Sequence, residues 1–365
     1  MKLTLISLSI LLAGASASTS VFAQTQTAPL VQNLNFSASL DVTAPYNFED
    51  DSNNKMGIRS AEFMIYAPID PTFDALINFA AHDENGEFHT EIHEGYISSS
   101  KLIQNLRFKA GMFFLGVGRL NQFHQHDWPF ITAPKVQADF FGDEGLHDTG
   151  VEFTYLLPTD SYWDITLGVT DGYQTVSEDH GDHSHESSER PTAPTFYIRP
   201  STFIDLGETG GMQIGLNYLS SSDSVGVRTE LSGLDFVFKK KEGNFNRWLL
   251  QSEIWNRVQN SNITERSNQI GTYIYPEYGF SPRWFLGLRM DAFTDLSLSY
   301  DDGAHRDNLD YAFVPTLTYK NSEFVTWRIA YTHEVNNVSQ EADQINRVLE
   351  LQFIAILGAH PAHTF

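Results

Sequence analysis

Leu106-Arg107-Phe108-Lys109-Ala110-Gly111-Met112-Phe113-Phe114 decides the fold. Leu106, Phe108, Ala110, Met112 and Phe114 fall on one face, while Arg107 and Lys109 open the other. A period of two is the mark of a strand with one buried face and one wet face. The same pattern returns along the chain. Trp284, Leu286, Leu288 and Met290 alternate with Arg283, Phe285, Gly287 and Arg289. Val151, Phe153, Tyr155 and Leu157 alternate with Glu152 and Thr154, and Met212, Ile214, Leu216 and Tyr218 with Gln213, Gly215 and Asn217. A soluble β-sandwich alternates too, so periodicity alone leaves both architectures open.

The connections separate the two. With a first strand near residues 33–42, every second connection is short: Pro68-Ile69-Asp70-Pro71, 98–104, Pro158-Thr159-Asp160-Ser161, 205–210, 239–244, 279–282 and 320–323. The other set holds every long one: 43–56, 116–148, 172–194, 293–308 and 334–343. A sandwich has no reason to sort its loops by length, whereas outer-membrane barrels join strands by short periplasmic turns and long outer loops. The expectation is an all-β, transmembrane, antiparallel up-and-down β-barrel of about sixteen strands, with an inward-folded third extracellular loop at 116–148.

The chain ends fit that compartment. Lys2, the apolar run 3–13 and the small-residue site Val21-Phe22-Ala23 read as a signal peptide over 1–23. A single barrel domain over 24–365 is then expected, 365 − 23 = 342 residues. No run of eighteen apolar residues offers a spanning helix. There is no cysteine, which excludes disulfides and thiolate metal sites. In the last strand Leu349, Leu351, Phe353, Ala355 and Leu357 share a face whose parity runs on to Phe365. A terminal aromatic of that parity resembles the signal read by the barrel-assembly machinery, although Pro361 and His363 interrupt it. The expected partners are outer-membrane lipid and that machinery, with a homo-oligomer left open. Net charge is −23 and mean hydropathy −0.28. The acidic excess excludes a nucleic-acid footprint and favours cations.

Three stretches carry a family resemblance. Gly118-Arg119-Leu120-Asn121, His124-Gln125-His126-Asp127-Trp128-Pro129 and Phe140-Phe141-Gly142-Asp143-Glu144-Gly145-Leu146, followed by Asp148-Thr149-Gly150-Val151, are distinctive. With the tail Gly358-Ala359-His360-Pro361-Ala362-His363, they resemble a porin-like outer-membrane family often labelled zinc-regulated or TonB-dependent receptors. The resemblance implies a passive channel for small solutes, with zinc as a bound or transported ion and no cofactor required. The TonB part fits poorly, because such receptors resemble a 22-strand barrel with a plug domain, for which this chain is too short. TonB coupling is therefore not expected.

Three constellations carry candidate chemistry. The connection 116–148 resembles the constriction loop of general porins. Arg119, His124, His126, Asp127, Lys135, Asp139, Asp143, Glu144 and His147 give it charges of both signs, suited to a transverse field. Phe123, Trp128, Phe130, Phe140 and Phe141 would seat it on the wall. Second, Asn85-Gly86 is a strong hairpin turn, which pairs His82 with His89 on the luminal face and places Glu91 and His93 along it. Imidazoles with a carboxylate suit zinc. In this register Phe73, Ala75, Ile77 and Phe79 face lipid opposite Ile92 and Tyr96, with Glu94 anomalously among them. Third, His180, His183 and His185 with flanking acids form a weaker metal collector in the 172–194 loop. No enzyme is expected, since His126-Asp127, His147-Asp148 and His82-Asp83 are sequence neighbours that point to opposite faces of a strand. The leading expectation is a cation-biased porin-like channel. The alternatives are a zinc-capturing receptor without a permanently open pore and, last, a barrel-borne hydrolase.

Overall fold

The computed structural model describes residues 34–50, 54–84, 87–172, 193–222, 226–260, 266–297, 308–337 and 344–358. The expected signal peptide, the His180–His185 collector, the Asn85-Gly86 turn and the tail to Phe365 lie outside them. The described residues form sixteen strands. The first five are β1 Asn35–Asn47, β2 Gly57–Pro68, β3 Asp74–Glu84, β4 Glu87–Ile103 and β5 Leu106–Phe114. Next come β6 His147–Leu156, β7 Tyr162–Thr170, β8 Ala193–Asp205, β9 Gly210–Ser222 and β10 Arg228–Glu242. The last six are β11 Phe245–Asn260, β12 Ser267–Gly279, β13 Trp284–Asp295, β14 Asp310–Lys320, β15 Val325–Asn336 and β16 Gln344–Gly358. Each pairs antiparallel with its predecessor, and β1 closes on β16, from Ser37 opposite Gly358 to Asn47 opposite Val348. A closed sheet has no unpaired edge, which lipid requires of any spanning sheet.

The outward face is apolar. Phe63, Ile77, Phe79, Leu167, Phe196, Leu216, Leu234, Ile254, Leu286, Phe313, Ile329 and Leu351 are all exposed on it. Near the short-turn rim aromatic side chains of adjacent strands meet: Trp248 with Tyr278, Trp284 with Tyr319 and Trp327 with Phe353, ring centroids 4.6, 4.7 and 4.5 Å apart. Such a girdle belongs at a lipid headgroup boundary, where an amphipathic ring finds both apolar and polar surroundings. The inward face carries the charge, with Asp41, Glu62, Glu152, Arg199, Asp235, Glu253, Arg289 and Glu350 all buried there.

Several strand ends differ from the sequence reading. β1 runs on to Asn47, which shortens the connection expected at 43–56, and β4 runs on to Ile103. Its turn shrinks to Gln104 and Asn105, the latter left-handed at φ 64°. Asn tolerates that conformation better than most residues, so the tight turn needs no glycine. Phe114 shares a parity with the lipid-facing residues of β5, but its ring turns inward against His93, His124 and His147. Arg283 sits exposed in a short turn and does not line the lumen.

The larger correction concerns β4. The hairpin register is as read from the turn, His82 opposite His89 and Glu84 opposite Glu87. It then slips: Phe79 faces Ile92, Asn78 faces Glu94, and His93 is the extra residue of a β-bulge. A bulge puts two consecutive side chains on one face. His93 and Glu94 therefore both point into the lumen, and the carboxylate that parity assigned to lipid is buried among polar groups. Tyr96, expected to face lipid, lies opposite Leu76 on the inner face, beside Lys109.

One outcome tests the orientation of the wall. Leu234→Arg, at an exposed apolar site in mid-β10, should cost about 2–4 kcal/mol of folding stability in lipid vesicles. Urea titration of tryptophan fluorescence reads it. A cost below about 1 kcal/mol would place Leu234 in water or near an interface.

Candidate functional site

The connection from β5 to β6, residues 115–146, is the site's main element. Its ends are clamped by Asn121, whose Nδ2 donates to the carbonyls of Leu115 (2.8 Å) and Leu146 (3.0 Å). Asn121 Oδ1 accepts from the Leu146 N–H at 2.5 Å. Gly118, left-handed at φ 62°, lets the chain turn beneath Glu253, whose carboxylate would lie 2.5 Å from an added Cβ. Its N–H donates to Asn217 Oδ1 (2.8 Å), and the Leu120 amide donates to Glu253 Oε1 (2.9 Å). Two short 3₁₀ turns, Leu120–Gln122 and Gln125–Asp127, follow, then the helix α1 Lys135–Phe141.

Inward-facing residues of many strands hold this connection. Arg59 of β2 donates to the Ile131 carbonyl and Arg289 of β13 to that of Thr132. Tyr275 donates to the Pro129 carbonyl (3.2 Å) and Arg257 to that of Asp139 (2.6 Å). Aromatic contacts do the rest. Phe130 meets Tyr273 and Tyr275 edge-on, Phe140 meets Phe293, and Phe141 meets Trp255. Trp128 and Phe130, at 1% and 0% exposure, join Leu115, Val136, Leu231 and Val237 in a hydrophobic core inside the barrel. Gly271 of β12 makes room for Val136, whose Cγ2 would lie 2.6 Å from an added Cβ. On the β8–β13 side the middle of the connection is thus packed against the wall.

The facing arc, β2 to β4, is polar. Four imidazoles run in a row, His82, His93, His124 and His126, with ring centroids 5.1, 6.0 and 5.6 Å apart. Carboxylates thread the row. His82 and His93 bring their Nε2 atoms to 3.1 Å. Glu91 Oε1 lies 3.0 Å from His93 Nε2 and 3.4 Å from His82 Nε2. Glu144, from the connection, reaches His82 Nδ1 (3.1 Å) and His93 Nε2 (3.2 Å). Deeper in, Glu62 approaches His124 Nδ1 (3.1 Å) and His126 Nδ1 (3.0 Å) and accepts from Asn78 Nδ2 (2.7 Å). Glu94 Oε2 lies 3.1 Å from His124 Nε2.

The carboxylates set the proton affinity of the two loop histidines. Burial by itself would lower His124, but Glu62 and Glu94 outweigh it and hold the imidazole up at about 9. Burial opposes His126 likewise, and Asp127 and Glu62 raise it. Arg119 is pushed down to about 10 by burial, its guanidinium stacked over Phe123 at 4.3 Å.

The residues singled out in the sequence part into groups. His82, Glu91 and His93 converge with Glu144, and His124 and His126 join through Glu62. His89 is the backbone partner of His82 but is exposed and outside these donor groups. Lys135 binds Asp139 (3.6 Å) and Asp310 (3.3 Å) on the opposite wall, and Asp143 is exposed. His147 opens β6, its ring 5.9 Å from that of His93. Arg119 lines a cavity of about 170 Å³ towards the short-turn rim, with Lys239, Lys320 and Arg328. Sequence reasoning missed Glu62, Asn78 and Arg59. The alternation Ser60-Glu62-Met64 in β2 is the signal that would have placed Glu62 inside. Parity put Glu94 on the lipid face, where a carboxylate is anomalous; the bulge that resolves the anomaly has no local signal.

Comparisons with known proteins address the fold. No family model matches the chain, so the resemblance to zinc-regulated receptors gains no support. An uncharacterized protein of Aquifex aeolicus is 28% identical over 343 residues, covering 86% of this chain and 71% of that protein. Among solved structures, an anion-selective porin from Comamonas acidovorans matches with a TM-score of 0.63 at 8% identity, over 89% of this chain and all of that one (100%). The outer-membrane channel DcaP of Acinetobacter baumannii gives 0.61 at 9%, over 89% and 97%. Pseudomonas putida OprB gives 0.59 at 9%, over 89% and 94%. At such identities the shared property is the fold, a closed antiparallel barrel of the outer-membrane kind.

Removing the aromatic anchors should free the connection while the barrel stands. Trp128→Ala with Phe130→Ala deletes two fully buried rings, each worth about 3–5 kcal/mol. Limited proteolysis with mass mapping should then find new cuts within residues 115–146 and an otherwise intact chain. Unchanged protection would mean that hydrogen bonds alone secure it.

Proposed function

We propose that this protein is a passive outer-membrane channel for small hydrophilic solutes, biased towards cations and passing divalent metal ions such as zinc. The single observation that carries the reading is the 115–146 connection, fastened across the lumen of a closed, lipid-compatible barrel with an acid–imidazole face on one side. A loop so placed narrows a pore, and the groups lining the narrowing select what crosses it. The fold shared with an anion-selective porin and an outer-membrane channel supports transport over catalysis. No reaction is assigned to the chain. Export and insertion would use the N-terminal signal and the C-terminal strand, and lipid is the expected surrounding; a homo-oligomer is compatible with the apolar exterior.

The acidic excess, −23 overall, argues for cations. Against it stand Arg119, Lys239, Lys320 and Arg328 round the inner cavity, and Arg107 beside a second of about 300 Å³. Three luminal arginines are paired with acids: Arg199 with Asp235 (2.8 Å), Arg289 with Asp291 (3.1 Å) and Arg59 with Asp41. A committed pair contributes little net field, so the sign of the overall charge, negative, sets the expected bias. The packed core between the connection and β8–β13 favours a second reading, a metal-capturing receptor without a permanently open pore.

Planar-bilayer recording separates these. The channel reading expects stable open events and a reversal potential of cation sign across a salt gradient near 0.1 M. That preference should shrink near 1 M, where the screening length falls to about 3 Å. A chloride-selective reversal potential would overturn the bias, and silence of a correctly folded barrel would favour the receptor.

A further inference from the structure

The acid–imidazole face contains more than a charged lining. We propose that His93 is the pivot of a two-position site for one borderline divalent transition-metal ion, typified by zinc. The outer position is made by His82, Glu91, His93 and Glu144, and the inner by Glu62, His93 and His124. This deepens the reading of a metal-passing lumen and rests on it only for the direction of travel.

Geometry supports the outer position. Ligands about 2.0–2.1 Å from a tetrahedral zinc stand roughly 3.3–3.4 Å from one another. His82 Nε2 and His93 Nε2 are 3.1 Å apart. Glu91 Oε1 is 3.4 and 3.0 Å from those nitrogens, and Glu144 Oε2 is 3.2 Å from His93 Nε2. These donors come from β3, the β4 bulge and the 115–146 connection, so tertiary folding assembles them. The orientation is also set. His82 Nδ1 lies 3.0 Å from the Arg59 carbonyl, which can only accept, so the proton sits on Nδ1 and the Nε2 lone pair faces the other donors. A ligand histidine anchored through its second nitrogen to a carbonyl is the usual arrangement around protein metals.

The inner position has its own marks. Glu62, His93 and His124 are all buried, and their donor atoms lie within 4.8 Å of one another. His93 Nδ1 and His124 Nδ1 are buried with no hydrogen bond to satisfy them; Glu62 Oε2 lies 3.1 Å from the latter without hydrogen-bond alignment. Buried polar atoms normally find a partner, so orphaned imidazole nitrogens beside a carboxylate point to a ligand. Two nitrogens with carboxylate oxygens suit zinc and its first-row neighbours, whereas calcium and magnesium prefer all-oxygen sets. Exposure falls along the row, from 49% for the Glu91 side chain through 10% for His82 to 4% for His93. An ion would enter at Glu91 and Glu144 and pass inward. A neutral imidazole has one lone pair, on Nδ1 or on Nε2, so His93 ligates at one position at a time and the barrel holds one ion.

Zinc titration calorimetry on the full-length barrel, refolded in detergent and checked by heat-modifiable gel mobility, tests this. One zinc per chain is expected. His93→Ala should weaken binding at least about 100-fold, at the upper end of what loss of a ligand-supporting group does. His93→Gln, which keeps the volume, serves if the alanine form does not refold. His82→Ala and Glu62→Gln should each leave one-ion binding, weakened by about tenfold, because the other position remains. X-ray absorption of the zinc-loaded His82→Ala barrel should still show nitrogen and oxygen ligands. Two zincs per chain, or affinity within twofold of the parent in His93→Gln, would overturn the shared site. Abolition of binding by His82→Ala as complete as that by the His93 variant would remove the inner position. Retained zinc binding in a barrel that never conducts would reject the channel reading alone.

Discussion

In hydrocarbon, a backbone N–H or C=O without a partner has no water to fall back on, and each costs several kcal/mol. The closure of β1 on β16 meets that constraint for every strand at once. It also fixes everything else. Once the sheet is closed, each strand has one face in lipid and one in the lumen, and every charged residue of a strand must lie on the second or near a rim. Buried luminal charges such as Asp41, Asp235 and Glu253 then need partners of their own. They find Arg59 and Gln352, Arg199 and Asn217, and Tyr273, Trp255 and the Leu120 amide.

The 115–146 connection turns a barrel into a device. Its attachment is unequal on the two sides. Towards β8–β13 it is held by aromatic packing, and by arginines donating to its carbonyls. Towards β2–β4 it meets histidines and carboxylates, groups that exchange protons and metal ions readily. Tight apolar packing resists rearrangement, because removing contact area costs free energy in every direction. The acid–imidazole side has no comparable core. The strongly held side serves as a scaffold, and the chemistry concentrates on the other. The bulge at His93 belongs to the same design, since it re-aims a side chain next to a site. Without it, His93 and Glu94 would face opposite sides, and His124 would lose its partner at 3.1 Å.

The basic residues around the inner cavity complicate a simple electrostatic picture. Lys239, Lys320 and Arg328 lie towards the short-turn rim, whereas Glu91 and Glu144 lie on the other side of the connection. A solute crossing the lumen would meet acidic and imidazole groups first and guanidinium and ammonium groups later. On the proposed channel reading, such a sequence would favour cation entry and discourage strong retention beyond the connection.

What could be read from the sequence is what depends on short-range order. Alternation in β5, β6, β9 and β13, the sorted loop lengths and the Asn85-Gly86 register follow from the two-residue period and from turn stereochemistry. They sufficed for the barrel and for about sixteen strands; of the face read as His82, His89, Glu91 and His93, the folded chain gathers all but His89 into one donor group. The aromatic content of the 115–146 connection marked it as an ordered element. Only the tertiary structure could decide the rest. The bulge that brings Glu94 and Tyr96 inside comes from how β3 and β4 fit around the curved wall, and no local pattern encodes it. Glu62 meets His124 and His126 across 62 and 64 residues of chain, and Glu144 meets His82 across the same span, 62. Those distances in sequence close only when the connection folds back into a finished barrel. A metal-sized cluster is a property of where donors converge, and convergence is set by the sheet's closure.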